Sequence, residues 1–223
     1  GVAVTAGEEK EVGNYLVTTV NGTLTITKDE NAIIITSATK SWTYDGDAHT
    51  DYVYTVSYGT ESGTAALSAT SGKYEYTLST GDVVAITPAE SATITHVAEN
   101  DVTNAFSYTV VTHSDWYANQ TKAEGKLSIT PAAITIETGT DSKEYDSTPL
   151  TKDGKATFGE TETTLTSGQD VTVALAGNES ISVKVTGTIT EVGGPVNNTY
   201  EITWGEVAST DYAITEEVGT LTV

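Results

Sequence analysis

Apolar and polar residues alternate along this chain. Between Gly22 and Thr27, Thr23, Thr25 and Thr27 fall on one side of an extended backbone and Leu24 and Ile26 on the other. This is the two-residue period of a strand with one buried face. The pattern returns at Leu127/Ile129, Ile134/Ile136, Val171/Val173, Ile181/Val183/Val185, Tyr200/Ile202/Trp204 and Leu221/Val223. No stretch of a dozen residues keeps the spacing of an amphipathic helix. Clusters of Gly, Asn, Asp and Ser break the runs roughly every 8 to 12 residues, as many short strands and turns require. The predicted elements are strands almost throughout, and the fold class is all-β.

The pattern is also written more than once. The join from Gly125 to Leu150, GKLSITPAAITIETGTDSKEYDSTPL, echoes Gly22 to Thr50, GTLTITKDENAIIITSATKSWTYDGDAHT, and its ending recurs at Gly219 to Val223. Asn104 to Tyr108 matches Asn198 to Ile202, and Thr93-Ile94-Thr95 with Val97 matches Thr188-Ile189-Thr190 with Val192. Leu78 to Val83 resembles Leu165 to Val171, with an insertion in the first copy between its front and back halves. Such periodicity predicts tandem units of roughly 100 residues: a C-terminal hairpin remnant over 1–30, a first unit over 31–130 and a second over 131–223. The chain is accordingly expected to be a piece of a longer protein.

Each unit is expected to close on a hairpin, Asn14-Tyr15 to Gly22, Trp116-Tyr117 to Gly125, and Asp211-Tyr212 to Gly219, whose glycine supplies a positive φ. Short connectors, Lys28 to Ala32 and Pro131-Ala132-Ala133, predict Ig-like or β-sandwich-like units set end to end as an elongated rod that bends little.

Composition narrows the partners. The chain has 10 Lys+Arg against 31 Asp+Glu, a formal net charge of -21. Such a surface repels phosphate backbones and anionic lipid, which argues against nucleic acid and membrane surfaces. No run of 18 apolar residues exists, so no membrane insertion through a helix is expected. Threonine is about a fifth of the residues, a β-branched side chain suited to a half-exposed sheet. Cysteine is absent, and units of this size can bury a sufficient core without disulfides.

Trp42-Thr43-Tyr44-Asp45-Gly46 after an isoleucine-rich strand, the copy Glu144-Tyr145-Asp146-Ser147-Thr148-Pro149-Leu150, the GTLTIT-type endings, and Thr188 to Gly193 followed by Asn197-Asn198-Thr199-Tyr200 resemble a known family. They are similar to the YDG and mostly-β-groove (MBG) repeats of large bacterial cell-surface adhesins, over nearly the whole chain. The resemblance implies an extracellular, wall- or envelope-attached location, a structural or adhesive role in long arrays with neighbouring repeats as partners, and no enzymatic activity. The second copy departs at Ser147, where glycine is typical; serine there is expected to mean a turn without positive φ, held by Tyr145 and Asp146. Read from the residues alone, Tyr44, Asp45, Tyr145 and Asp146 are structural turn residues, the Asp accepting backbone amides just ahead of it.

Catalytic residues are not found. His49, His96 and His113 lack metal-ligand spacing, and there is no thiol and no Gly-x-Ser-x-Gly elbow. No cofactor is expected. Calcium is left open at Asp29-Glu30-Asn31, Asp45-Gly46-Asp47 and Glu99-Asn100-Asp101, although none has the alternating acids of an EF-hand loop. Lys40 and Lys143, at equivalent places before the Tyr-Asp turns, leave a Lys-Asn isopeptide bond open. One aromatic stripe stands out: Tyr52, Tyr54 and Tyr58 on one strand face, near Trp42. Exposed, these rings could stack on a host or environmental glycan or a protein loop, as a lectin-like module would; packed across strands, they shield a sheet. A monomer is expected.

Overall fold

A computed structural model of the chain describes residues 22–223. The described residues are nearly all β, with a few single-turn 3-10 segments and no helix long and apolar enough to cross a membrane. The hairpin expected at Asn14-Tyr15 lies outside them. Residues 22–28 form no strand, and Leu24 and Ile26 are almost fully exposed. Their alternation matches a strand elsewhere because it has a partner there; over 22–28 it has none among the described residues.

The first set of strands comprises β1 (Asp29–Ser37), β2 (Lys40–Thr43), β3 (Tyr54–Tyr58), β4 (Glu61–Thr64), β5 (Ala66–Leu67) and β6 (Tyr74–Thr77). It continues with β7 (Val83–Pro88), β8 (Val102–Thr103), β9 (Phe106–Val110), β10 (Tyr117–Ala123) and β11 (Lys126–Thr130). These make three small sheets, ordered β10-β1-β3-β4, β2-β11-β8 and β5-β6-β7-β9. The second set comprises β12 (Ala132–Thr138), β13 (Asp141–Ser142), β14 (Gly154–Phe158), β15 (Thr161–Leu165) and β16 (Asp170–Ala174). It ends with β17 (Ser180–Val185), β18 (Val196–Asn197), β19 (Tyr200–Thr203), β20 (Tyr212–Glu217) and β21 (Thr220–Thr222). Its sheets are β15-β14-β12-β20, β13-β21-β18 and β16-β17-β19.

The pairing scheme is the same in both sets, and among the described residues no strand pair crosses Pro131. Only β5 lacks a counterpart. In each set the first strand runs parallel to the next-to-last and the second parallel to the last: β1 with β10 and β2 with β11, then β12 with β20 and β13 with β21. The expected closing hairpins are therefore not hairpins: β10 and β11, like β20 and β21, go to different sheets.

Two neighbouring chains thus bend together from one sheet into the next. At that corner the ladder breaks, and its backbone groups need other partners. Asn104, fully buried, donates from Nδ2 to the carbonyls of Ala38 at 3.0 Å and Asp51 at 3.1 Å, and its own N–H donates to Gly125 O at 2.9 Å. Ser37 Oγ accepts from Gly125 N at 2.9 Å and donates to Asn104 O at 2.7 Å. In the second set Asn198 donates to Gly139 O and Lys152 O, each at 2.9 Å, and Thr138 Oγ1 accepts from Gly219 N at 3.0 Å. Gly125 and Gly219 are not at positive φ. They are glycines because a Cβ would stand 2.2 Å from Ala38 O and 2.4 Å from Gly139 O; the crossing chains pass too close for a side chain.

The core follows the alternation. Ile33, Ile35, Tyr54, Val56, Val84 and Ile86 are fully buried in the first set, as are Ile134, Ile136, Leu165, Val183 and Val185 in the second. Each such side chain contributes about 1.5–3 kcal/mol by leaving water. Tyr44, Ile94, Leu127 and Ile129 of the first set belong to the second set's apolar cluster, so hydrophobic packing is continuous across Pro131. The turn at Leu78 to Asp82 precedes β7 as the turn at Leu175 to Glu179 precedes β17, with Leu78 N bonded to Asp82 O at 2.8 Å and Leu175 N to Glu179 O at 2.8 Å. Leu78 therefore corresponds to Leu175, not Leu165.

Replacing Asn104 or Asn198 with Ala leaves two buried carbonyls without donors, and each variant is expected to lose about 2 to 5 kcal/mol in urea unfolding. Loss below about 0.5 kcal/mol, the scale of a surface substitution, would show that the corner does not depend on them.

Candidate functional site

The tyrosine stripe is largely core. Tyr54 is wholly buried and Tyr58 nearly so, on the face of β3 that packs inward with Val56. Tyr54 meets Tyr74 and Phe106 at centroid distances of 5.3 Å, and Tyr58 meets Tyr117 at 5.7 Å. The face that looked available to a ligand is the face β1 presents to the core through Ile33 and Ile35. Only Tyr52 keeps an exposed ring, beside Tyr74. Trp42 is half-buried, stacked on His49 at 4.9 Å with Lys40 above it. Tyr54 and Tyr58 thus offer no face to a glycan.

The two Tyr-Asp turns share their geometry. Asp45 Oδ1 accepts from Asp47 N at 3.0 Å, and Asp146 Oδ1 from Thr148 N at 2.9 Å. Hydrogen bonds from Lys143 and Thr148 hold the Asp146 carboxyl well below the usual carboxylate range. Gly46 has φ +84° and Ser147 φ +66°, so serine does adopt positive φ here, against expectation; the Asp-centred bonds on either side over-determine the turn. Tyr44 is buried whereas Tyr145 is exposed.

That difference marks an interface. Tyr44 inserts edge-on against Tyr212 at 5.3 Å. Beside it Asp211, almost fully buried, accepts from Val97 N at 2.7 Å and meets His96 Nδ1 at 2.7 Å. A Cβ on Gly46 would lie 2.5 Å from Gly177 Cα, so the backbones touch. The first set supplies the plug (Tyr44, Gly46, His96, Val97) and the second the socket (the turn 176–179, Asp211, Tyr212). Burial, with the Glu179 and Asp211 carboxylates, pushes the Tyr44 hydroxyl up to about 12.

Among the described residues, the counterpart of that socket in the first set is open. Tyr212 OH donates to Glu179 at 2.6 Å, and Tyr117 OH donates to Asp82 at 2.7 Å; each tyrosine follows a 3-10 turn, and each acid precedes its strand. Here a cleft of about 420 Å³ is lined by Asp29, Thr80, Asp82, His113, Trp116 and Tyr117. Asp82 also accepts from Thr112 Oγ1 at 2.6 Å and meets His113 Nδ1 at 2.8 Å, which together hold its carboxyl down to about 2, the Thr112 bond foremost. Trp116 stacks on His113 at 3.7 Å and is 61% exposed. A histidine on a carboxylate can accept a proton, but no serine or threonine hydroxyl among the described residues is bonded to its other nitrogen, so no nucleophile is paired with it. Nothing in the spacing of Asp82, His113 and Trp116 singles them out; strand pairing brings them together.

No group of three or more His, Asp or Glu among the described residues could hold a metal ion. Four of the six acids left open for calcium are engaged: Asp29 with Tyr58 and Asn31, Asp45 with His49, Glu99 with the amides of Thr95 and His96, Asp101 with Ser128. Lys40 meets Asp51 and Lys143 meets Asp146. Comparison of the chain with protein-family models, curated proteins and solved structures finds no match.

Two outcomes are expected. The buried Tyr54 hydroxyl has no hydrogen-bond partner, so Tyr54→Phe should be at least as stable as the natural chain while Tyr54→Ser loses about 3–5 kcal/mol by thermal or urea unfolding; a tolerated serine would contradict the core assignment. The His96 pKa is raised, first by its hydrogen bond to Asp211 and further by the Asp211, Glu99 and Glu179 charges, against partial burial. A raised histidine pKa stabilises fully below the unfolded value and ceases to as pH passes the folded one. The stability advantage of the natural chain over His96→Gln should therefore shrink as pH rises above about 6.5, the ordinary histidine value, and an advantage that is flat or grows would refute the contact.

Proposed function

We propose that this chain is a non-enzymatic repeat segment of a bacterial cell-surface adhesin of the YDG or mostly-β-groove type. Its two sandwich-like units, set end to end as a stiff stalk outside the cell, hold a distal binding region away from the surface. The observation that carries this reading is the parallel pairing of β1 with β10 and β2 with β11, repeated in β12 with β20 and β13 with β21. Tension along the chain pulls the start of β1 one way and the end of β11 the other. Parallel strands pulled from opposite ends are loaded in shear, so their hydrogen bonds resist together and do not peel one by one. The one-residue link at Pro131 and the apolar cluster spanning it favour a stalk that transmits force without slack. A net charge of -21 keeps such a stalk soluble and away from anionic surfaces.

A second reading, a glycan- or protein-binding lectin-like module, draws on the exposed Trp116 ring over its cleft, since aromatic rings are frequent binding anchors. Retention on a glycan array that is lost with Trp116→Ala would favour it over a passive stalk.

Single-molecule pulling through the two ends tests the mechanical reading. The expected trace has two unfolding events, each releasing roughly 300 Å of chain, at forces well above those measured when the same protein is pulled through linkages at Asp29 and Tyr117, which peel β1 from β10. A single event, or equal forces in the two geometries, would overturn it.

A further inference from the structure

The filled socket of the second set shows what this fold can hold at the end of a unit. There the His96 imidazole meets the buried Asp211 carboxylate at 2.7 Å, and the Tyr44 ring stacks on that imidazole at 5.8 Å. A basic nitrogen thus sits between a carboxylate and an aromatic ring. In the open socket of the first set Asp82 takes the place of Glu179, Trp116 of Asp211 and Thr80 of Gly177. Trp116 cannot accept from a histidine and a backbone amide as Asp211 does. A Cβ on Gly177 would lie 3.0 Å from Gly46 Cα, and Thr80 carries that Cβ. The first set has exchanged the features that seat a plug for a ring beside an acid.

Trp116 has one face on His113, 3.7 Å away and nearly parallel, yet it is 61% exposed, so its other face is open. The ring borders two hollows. One, of about 420 Å³, is lined by Asp29 and Asp82; the other, of about 430 Å³, by Asp29, Asp115 and Lys28. Hydrogen bonds hold two of these carboxyls below their usual range, the Tyr58 hydroxyl foremost for Asp29 and Thr112 foremost for Asp82. Both are charged at neutral pH. Among the described residues no lysine lies within ion-pair distance of Asp29, Asp82 or Asp115, and Asp82 meets His113 alone. Three carboxylates therefore surround the ring against one ammonium, which favours a cation. The same carboxylates have few lone pairs to offer it. Of about four acceptor positions on a carboxylate, Asp82 has three filled, by Thr112, His113 and Tyr117, and Asp29 two, by Asn31 and Tyr58. Negative charge beside an open indole face, with little hydrogen-bonding capacity left, suits a cation that carries no N–H group. We propose that the Trp116 cleft binds the quaternary ammonium group of a small free molecule. The surrounding acids and the net charge of -21 disfavour carriers that bear a phosphate beside the ammonium, lipid headgroups included.

The cleft is the one named in the second reading of function, with a cation in place of a sugar, and the two are separable by experiment. Isotope-labelled natural chain is titrated with choline and followed by NMR, against sodium chloride at matched ionic strength. The Trp116 indole N–H and the amides of His113 and Asp115 should shift and saturate in the tens of millimolar. Dimethylbutanol, the same skeleton with carbon in place of the nitrogen, should bind at least about tenfold more weakly, and phosphocholine more weakly than choline. Trp116→Leu, apolar but without a ring, should abolish the shifts, and Trp116→Phe should keep them at reduced affinity. Trp116 is exposed, so the amide spectra of both variants should match the natural chain outside the cleft. Asp115→Asn, on an exposed turn, should weaken choline about threefold. No saturable shift with choline, equal affinity for choline and dimethylbutanol, or undiminished binding by Trp116→Leu overturns the assignment. Retention on phosphatidylcholine vesicles without binding of free choline overturns it by placing the group on a membrane, and glycan retention without a choline response overturns it in favour of the sugar. The stalk reading is judged by pulling and survives any of these failures.

Discussion

Everything in each unit hangs on two strands that run parallel and turn a corner together. A parallel pair formed by the first and next-to-last strands, then by the second and last, lays the opening and closing stretches of a unit alongside each other, pointing the same way. The cost is a break in the ladder where both chains pass from one sheet to the next. A buried asparagine closes the break by giving both its amide protons to carbonyls on either side, Ala38 and Asp51 for Asn104, Gly139 and Lys152 for Asn198. Asparagine suits this task because its carboxamide supplies two donors from one short, uncharged side chain. An aspartate there would turn donors into acceptors against carbonyl oxygens.

How much of this could be read beforehand depends on the distance over which each feature acts. Alternation at Ile134/Ile136 or Val183/Val185 is a local consequence of burying one face, and the strands stand where it occurs. The duplication of Asn104 in Asn198 and of Val97 in Val192 was visible because both copies keep the same residues in the same order. The hairpins expected at Gly125 and Gly219 are crossings instead; a glycine before a Leu/Ile strand suits a tight turn and a close crossing equally well. Only the position of Ala38 O, some ninety residues earlier, distinguishes them. Tyr54 and Tyr58 were offered as a ligand platform for a similar reason: alternation shows that one face of β3 is special without showing which side the next layer covers. The site around Asp82, His113 and Trp116 had no signal at all, since its members come from three segments joined only by topology.

The junction between the sets has to work against the charge of the protein. In a chain with three times as many acids as bases, two units pressed together repel, although salt screens that repulsion beyond about 10 Å. Local chemistry answers it at one point. Asp211 is almost fully buried yet accepts from the Val97 amide and meets His96, so its charge is taken up by a donor and a titratable cation on the opposite unit. Two glycines then let the backbones close around that contact, and Tyr44 covers it with an apolar edge.

The Tyr-Asp turn therefore has two separable parts. Its aspartate shapes the loop from within, accepting the amide two residues on in both copies, and in the second copy the Lys143 ammonium and the Thr148 hydroxyl join it in holding Ser147 in a left-handed conformation that glycine would adopt freely. Its tyrosine and third residue face away from their own sheets, and in the first copy they meet the second set. The second set thus keeps the turn with Ser147 where the first has Gly46, and carries Glu191 where the first has His96, at positions outside both apolar clusters.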